Sequence, residues 1–147
     1  ANVAYFGTFG YELDLNKLTD EEIAEVKAQI IIMKENRELI QFGNFYRLKS
    51  PFDGNETVWM TVSEDKRKAL VFWYRERNVV NAEFTRVRLQ GLDPDLIYKN
   101  EYNGTENYGD ELMNLGLLTT DVTAGEPTNE DLPCTDYESR IYVLTAE

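Results

Sequence analysis

The sequence contains no histidine and a single cysteine, Cys134, in 147 residues. Histidine is the commonest metal ligand and the commonest general base, so its absence excludes the sites that depend on it. One cysteine cannot form an intramolecular disulfide, so packing must stabilise the fold, and a reducing cytosol fits this composition. Cys134 follows Pro133 in an acidic segment without a basic neighbour, and we expect no nucleophilic role for it.

Long apolar runs and net positive charge are also missing. No stretch approaches the roughly 18 apolar residues that cross a bilayer, and residues 1–10 lack the basic region and the apolar region of a signal peptide. The 27 acidic and 15 basic residues give a net charge of −12, which repels phosphate backbones and anionic lipid heads. We therefore expect no nucleic-acid partner, no membrane partner and a cytoplasmic location.

What remains is the composition of an ordinary globular domain. Apolar residues make up 42% of the chain, aromatic residues 12% and charged residues 29%, which argues against disorder. A domain of this size buries roughly 68–70% of the surface that its unfolded chain exposes. The chain can therefore form a hydrophobic core.

One long helix is predicted near the start of the chain. Thr19 and Glu22 form a T-x-x-E capping box, and acidic residues in the first turn complement the helix dipole. Apolar residues then recur near helical spacing, and Gly43 is placed to end the helix. Residues 30–33 are apolar without interruption, so we expect the helix to pack on two sides. Upstream, residues 3–15 are predicted to supply one short strand and a loop.

Downstream of the helix, apolar and polar residues alternate with period two. Alternation over residues 57–63 and 84–90, and the mostly apolar run 69–74 within residues 68–77, indicate strands, and the last of these would be covered on both faces. With the polar, glycine and proline turns between the segments, at least five strands are predicted, at residues 57–63, 68–77, 84–90, 96–102 and 140–145. Their spacing is typical of an antiparallel sandwich or barrel. Residues 121–136, rich in turn formers, are interpreted as a solvated loop.

Several motifs occur in a fixed order along the chain. They are Gly7–Leu15, Ile40–Leu48, Ser50–Phe52, Trp59-Met60 with Val62-Ser63, Gly91–Pro94 and Tyr108–Met113. Together they resemble glycoside hydrolase family 36, the bacterial α-galactosidases. The resemblance runs from about residue 7 to residue 118 and resumes over residues 136–144.

The resemblance implies a multidomain enzyme with an N-terminal β-domain, a catalytic (β/α)8 barrel and a C-terminal antiparallel sandwich. Residues 1–42 would be the last strand, loop and helix of a truncated barrel, and residues 43–147 the C-terminal domain. The start at Ala1 is then expected of a piece of a longer polypeptide. The expected fold is mainly β, an antiparallel β-sandwich of Greek-key type preceded by one long helix left over from the barrel.

The resemblance also implies what this chain does. The two catalytic aspartates of the retaining mechanism would lie upstream, so we expect an inactive fragment with no catalytic, cofactor-binding or metal residue and no cofactor. The parent protein would be an α-galactosidase acting on raffinose, melibiose and related galactosides, and the catalytic barrel would be the partner that the sandwich supports.

Contacts between copies of the chain, through the helix or the sandwich, are a further expectation. If residues 23–33 lack their barrel neighbours, the helix exposes an apolar patch that favours dimerisation. An interaction module with an exposed helix would show the same property and is one rival interpretation.

Five aromatic side chains offer faces that could stack on sugar rings: Trp59, Trp73, Tyr74, Tyr102 and Tyr108. The two tryptophans stand at alternating strand positions, where packing in the core is expected. Tyr102 and Tyr108 flank turn residues, so we expect them to be exposed and they are the candidate sugar contacts. They motivate the second rival interpretation, a free-standing carbohydrate-binding β-sandwich.

Acidic pairs suggest two further kinds of site. Glu12 and Asp14 lie two apart on the predicted first strand and would share a face, as a retaining carboxylate pair about 5–5.5 Å apart requires. No pocket here would separate an acid from a nucleophile, so we interpret them as loop carboxylates near the start of the helix, at the barrel rim in an intact enzyme.

A calcium site is the second kind of site that acidic pairs suggest. Asp110-Glu111 and Glu130-Asp131 lack the alternating spacing of a calcium loop. We therefore interpret both pairs as solvated acidic surface and predict no metal site.

Overall fold

The computed structural model describes residues 1–7, 9–77, 84–119 and 136–147. Two short 3₁₀ turns, Ala4–Phe6 and Leu15–Lys17, precede helix α1, Asp20–Phe42, and a second helix, α2, spans Gly109–Asn114. The described strands are β1 Asn44–Lys49, β2 Glu56–Val62, β3 Lys68–Arg75, β4 Arg86–Val87, β5 Ile97–Asn100, β6 Glu106–Tyr108, β7 Leu117–Leu118 and β8 Glu138–Ala146.

The predicted helix is confirmed, including its first turn. The Thr19 side chain accepts a hydrogen bond from the Glu22 amide at 3.2 Å, and the Glu22 carboxylate accepts one from the Thr19 amide at 2.8 Å. This capping box satisfies two amide groups that have no partner inside the helix. At the other end, the Gly43 amide donates to the Leu39 carbonyl at 3.0 Å. The helix therefore ends where the sequence predicts.

The strand predicted within residues 3–15 is wrong. The described residues of this segment form the two 3₁₀ turns, with local hydrogen bonds such as Ala4 N–H to the Ala1 carbonyl at 2.8 Å. Side chains of the segment contact the face of the sheet, through the Tyr5 and Phe6 rings. A strand needs an unpaired sheet edge for its amide and carbonyl groups, and a face does not offer one.

The main sheet has six antiparallel strands in the order β1-β2-β3-β8-β5-β6. Strands β1 to β3 form a meander, and β8 returns over a long connection to pair with both β3 and β5. A strand that returns beside an earlier one in this way is a connection of Greek-key type. The chain is thus mainly β, with one long helix before an antiparallel β-sandwich.

Apolar side chains on the two faces of the sheet form two separate cores. One core contains alternate residues of β2 and β3 together with the covering layer, and it is lined by Val58, Met60, Val62, Val71, Trp73, Tyr142 and Leu144. The other contains Leu70 and Phe72 of β3 packed against Met33 and Leu39 of α1, with Tyr5. The alternation that predicts strands therefore also predicts which side chains enter which core.

The covering layer over the first core is made of α2 and the small sheet β4-β7. Within the predicted strand 84–90, Val87 and Leu89 are buried and Arg86 and Arg88 are exposed, as the alternation indicates. The ladder itself is limited to Arg86–Val87, because the Leu89 amide donates to the Leu112 carbonyl of α2 at 3.0 Å. Neither helix of the described residues is long and apolar enough to span a bilayer.

Candidate functional site

The two candidate sugar-contacting tyrosines lie on opposite faces of the main sheet. Tyr108 pairs with Ile97 of β5, and the next residue, Tyr98, points into the first core. Because successive side chains of a strand alternate between faces, Ile97 and Tyr108 lie on the face opposite to that core. Tyr102 packs on Tyr142 of that same core, with ring centroids 5.3 Å apart. Both tyrosines are exposed, by 48% and 53%, which confirms that part of the prediction. Because they lie on opposite faces, the two rings cannot stack on the same sugar. Sugar contact by either tyrosine stays a prediction.

Trp73 packs in the interior, as predicted, whereas Trp59 is only partly buried. Trp73 is fully buried, and the guanidinium groups of Arg75 and Arg140 each lie 5.3 Å from its ring centroid. Both arginines form ion pairs with Glu138. Trp59 is half-buried on the opposite face of the sheet, within 5.5 Å of the rings of Phe6 and Tyr74. The fully buried Trp73 indole is therefore not accessible to a sugar.

Glu12 and Asp14 are exposed loop carboxylates, as interpreted from the sequence. Asp14 caps the second 3₁₀ turn by accepting from the Asn16 amide at 3.1 Å, and it lies 3.8 Å from the Lys17 ammonium. Since the described residues around them form no strand, the premise that the two side chains share a strand face fails. Asp14 has a structural partner instead of a catalytic one.

An acidic cleft of about 570 Å³ lies between the end of α1 and the β2-β3 turn. Its walls carry Glu35, Glu38, Glu64, Asp65 and Lys68. A hydrogen bond from the Ser63 hydroxyl, 2.6 Å long, lowers the pKa of Asp65, with a further bond from the Arg67 amide. Both bonds lie within the β2-β3 turn, so Asp65 is a turn-forming carboxylate.

The described residues contain no group of three or more histidine, cysteine, aspartate or glutamate side chains that could hold a metal ion. Asp110 and Glu111 occupy the first turn of α2. The other acidic pair, Glu130-Asp131, lies outside the described residues, as do Cys134 and residues 121–135 of the predicted loop.

The candidate functional feature is the contact region where α1 and the segment before it pack on one face of the main sheet. One side of α1 packs on the sheet through Met33 and Leu39, while Ile31, Ile32 and Phe42 are 52%, 40% and 81% exposed. The uninterrupted apolar run in the sequence therefore does supply two apolar sides, of which one is covered. The sequence does not predict the aromatic contacts of Phe6 in this contact region, because they join residues far apart in the chain.

The sequence model of the glycosyl hydrolase family 36 C-terminal domain matches residues 56–144. The chain belongs to this family. A second model, that of melibiase, matches residues 1–43, so this match ends directly after α1 and the other begins at β2.

Family 36 relatives share both sequence and fold with the chain. The α-galactosidase AgaA of Geobacillus stearothermophilus is 48% identical over 116 residues, which cover 79% of this chain and 16% of that protein. The chain thus spans about a sixth of the length of this relative. The crystal structure of AgaB from the same organism matches 99% of the chain and 18% of its own, with 42% identity and a TM-score of 0.86.

A third comparison concerns an AgaA variant crystallised in complex with raffinose. It is 40% identical to this chain, covers 99% of it with 19% of its own length, and has a TM-score of 0.85. Because the match covers α1 as well as the strands, the packing of the helix on the sheet is a shared feature of this fold.

Proposed function

We propose that this chain is the C-terminal part of an α-galactosidase, a retaining glycoside hydrolase that releases terminal α-galactosyl groups from raffinose, melibiose and related sugars. The observation that carries the proposal is the family 36 C-terminal domain match over residues 56–144. The raffinose complex of the AgaA variant supports the substrate class. A cytoplasmic location is part of the same proposal.

The chain itself contributes support instead of catalysis. Retaining glycosidases need two carboxylates facing each other across the scissile bond. In the described residues, Glu12 and Asp14 are exposed on a loop and Asp65 forms a turn. The chain spans 16% of AgaA. The catalytic pair would therefore lie in the remaining part of the full-length enzyme.

Residues 1–42 are the end of the catalytic barrel in this proposal, and residues 43–147 are the C-terminal sandwich. The melibiase match over residues 1–43 supports the division. So does the apolar outer side of α1, since exposed apolar area of this kind marks a contact surface. The barrel is the proposed neighbour of Ile31 and Phe42, and contacts between copies of the chain are the alternative.

A galactosidase assay tests the proposal. We expect the isolated chain to release no aryl group from an aryl α-galactoside, whereas the parent protein turns the same substrate over. Enzyme concentration is matched by absorbance, and circular dichroism confirms that the isolated chain is folded. Turnover by the isolated chain refutes the supporting role, and an inactive, folded parent protein refutes the galactosidase assignment.

A further inference from the structure

Residues 1–18 are held in place mainly by side chains. Among the described residues of this segment, backbone hydrogen bonds stay within the two 3₁₀ turns and the residues that flank them, such as Lys17 N–H to the Asp14 carbonyl at 3.1 Å. No ladder joins residues 1–7 and 9–18, the part of the segment that the structure describes, to the sheet. Its conformation therefore depends on what its side chains contact.

Phe6 is the centre of those contacts. Its ring centroid lies 4.2 Å from that of Phe72, 5.4 Å from Phe45 and 5.5 Å from Trp59, all in edge-to-face geometry. Edge-to-face aromatic pairs are favourable beyond the area that they bury. We call Phe6, Phe45, Trp59 and Phe72 the aromatic clamp. The clamp joins the segment before α1 to strands β1, β2 and β3.

Polar groups hold the same segment from both sides. The Tyr74 hydroxyl, on β3, donates to the Asn2 backbone carbonyl at 2.9 Å, and the Asn2 side-chain Nδ2 donates to the Ser139 hydroxyl of β8 at 3.0 Å. The buried Tyr5 side chain donates to the Gln29 carbonyl of α1 at 3.1 Å. Burial raises the pKa of the Tyr74 hydroxyl, so it stays a neutral donor at physiological pH.

The next part of the segment, residues 9–14, is partly packed at its start and exposed at its end. Phe9 stacks on Tyr5 at 4.8 Å, and Tyr11 packs edge-to-face on Phe9 at 5.5 Å and bonds to Gln29. Residues 12–14 are then exposed, up to the 3₁₀ turn that Asp14 caps. Residues 9–14 thus form a loop whose first half is fixed by aromatic rings that rest on the sandwich and on α1.

We propose that the aromatic clamp positions residues 9–14 as one wall of the substrate entrance of the barrel, with Phe6 as a positioning residue. The inference rests on the proposed function. It uses the melibiase match over residues 1–43 and the rule that active sites of (β/α)8 barrels are built from the loops that precede the helices. The sandwich would then affect substrate binding without touching the sugar.

Kinetics of the full-length parent enzyme test this inference. Phe6→Ala removes the central ring of the clamp, and Met60→Ala removes a fully buried side chain from the core on the other face of the sheet. Loss of positioning by about 1 Å lowers kcat/KM by up to the order of 100-fold. We expect Phe6→Ala to lower kcat/KM for an aryl α-galactoside on the order of 10-fold or more, mainly through a higher KM. Met60→Ala should leave both constants unchanged at temperatures where it is folded.

The outcomes separate the inference from the proposed function. A wild-type parent without galactosidase activity overturns both. If the wild type is active and Phe6→Ala has the same kcat/KM, only the inference is overturned. The inference is also overturned if kcat/KM falls equally in Met60→Ala, because the loss would then reflect stability. If Phe6→Ala does not fold, Phe6→Leu keeps apolar volume without the ring edge, and a raised KM in that variant supports the clamp while an unchanged KM overturns it.

Discussion

Replacing Trp73 with alanine is expected to lower the free energy of unfolding of the chain by about 3–5 kcal/mol. The indole is fully buried in the first core, and the guanidinium groups of Arg75 and Arg140 lie over it. Its Nε1 donates to no acceptor among the described residues, so the loss comes from apolar packing and from the cation–π contacts. Urea unfolding followed by far-UV circular dichroism measures the change.

Phe52→Ala is the control for Trp73→Ala. The Phe52 ring is 94% exposed, so its removal should change the free energy of unfolding by about 0.5 kcal/mol at most. Equal effects of the two substitutions would contradict the description of the first core. A Trp73→Ala variant as stable as the wild type would contradict it as well.

Replacing Gly109 with alanine is expected to destabilise the chain by about 3 kcal/mol, at the upper end of the usual range for overpacking. A Cβ atom at this position would lie 1.9 Å from the Asp93 carbonyl oxygen and 3.0 Å from the Tyr98 ring. Neither neighbour can move easily, because the Tyr98 hydroxyl accepts from the Asp93 amide at 2.9 Å and donates to the Lys66 carbonyl at 2.6 Å. Urea or thermal unfolding measures the loss.

Gly54→Ala is the matched control for Gly109→Ala, because no heavy atom lies within 4 Å of the Cβ that it would add. Its effect should stay within about 0.5 kcal/mol. If the Gly109 variant unfolds at the same urea concentration as the Gly54 variant, the close packing of Gly109 on Asp93 and Tyr98 is wrong.

Helix α1 and the strands of the first core could be predicted because their signals are local. The capping box at Thr19 and Glu22 fixes the start of α1. Alternation in residues 57–63 identifies β2, and the apolar run within residues 68–77 identifies β3. Turn signals and apolar patterns of this kind depend only on neighbours in the sequence. The same holds for the burial of Trp73, which follows from its place in a strand that is covered on both faces.

Features that depend on distant partners could not be predicted in the same way. The short strands β6 and β7 contain three and two residues and exist through their pairing with β5 and β4. The segment before α1 has strand-like residues, yet it lies on a sheet face and forms 3₁₀ turns. Likewise, no local pattern indicates that Tyr102 and Tyr108 lie on opposite faces, since that depends on the β5-β6 hairpin and on the contact with Tyr142.

We propose that residues 43–147 support a catalytic barrel that ends in α1. Deleting these residues from the parent enzyme tests it most directly, because the deletion uncovers Met33 and Leu39 of α1 and removes the strands that hold Phe6. The measurement is turnover of an aryl α-galactoside together with the thermal midpoint of the truncated enzyme. We predict a lower midpoint and loss of turnover. A truncated enzyme with the kcat/KM and the midpoint of the intact protein would contradict the supporting role.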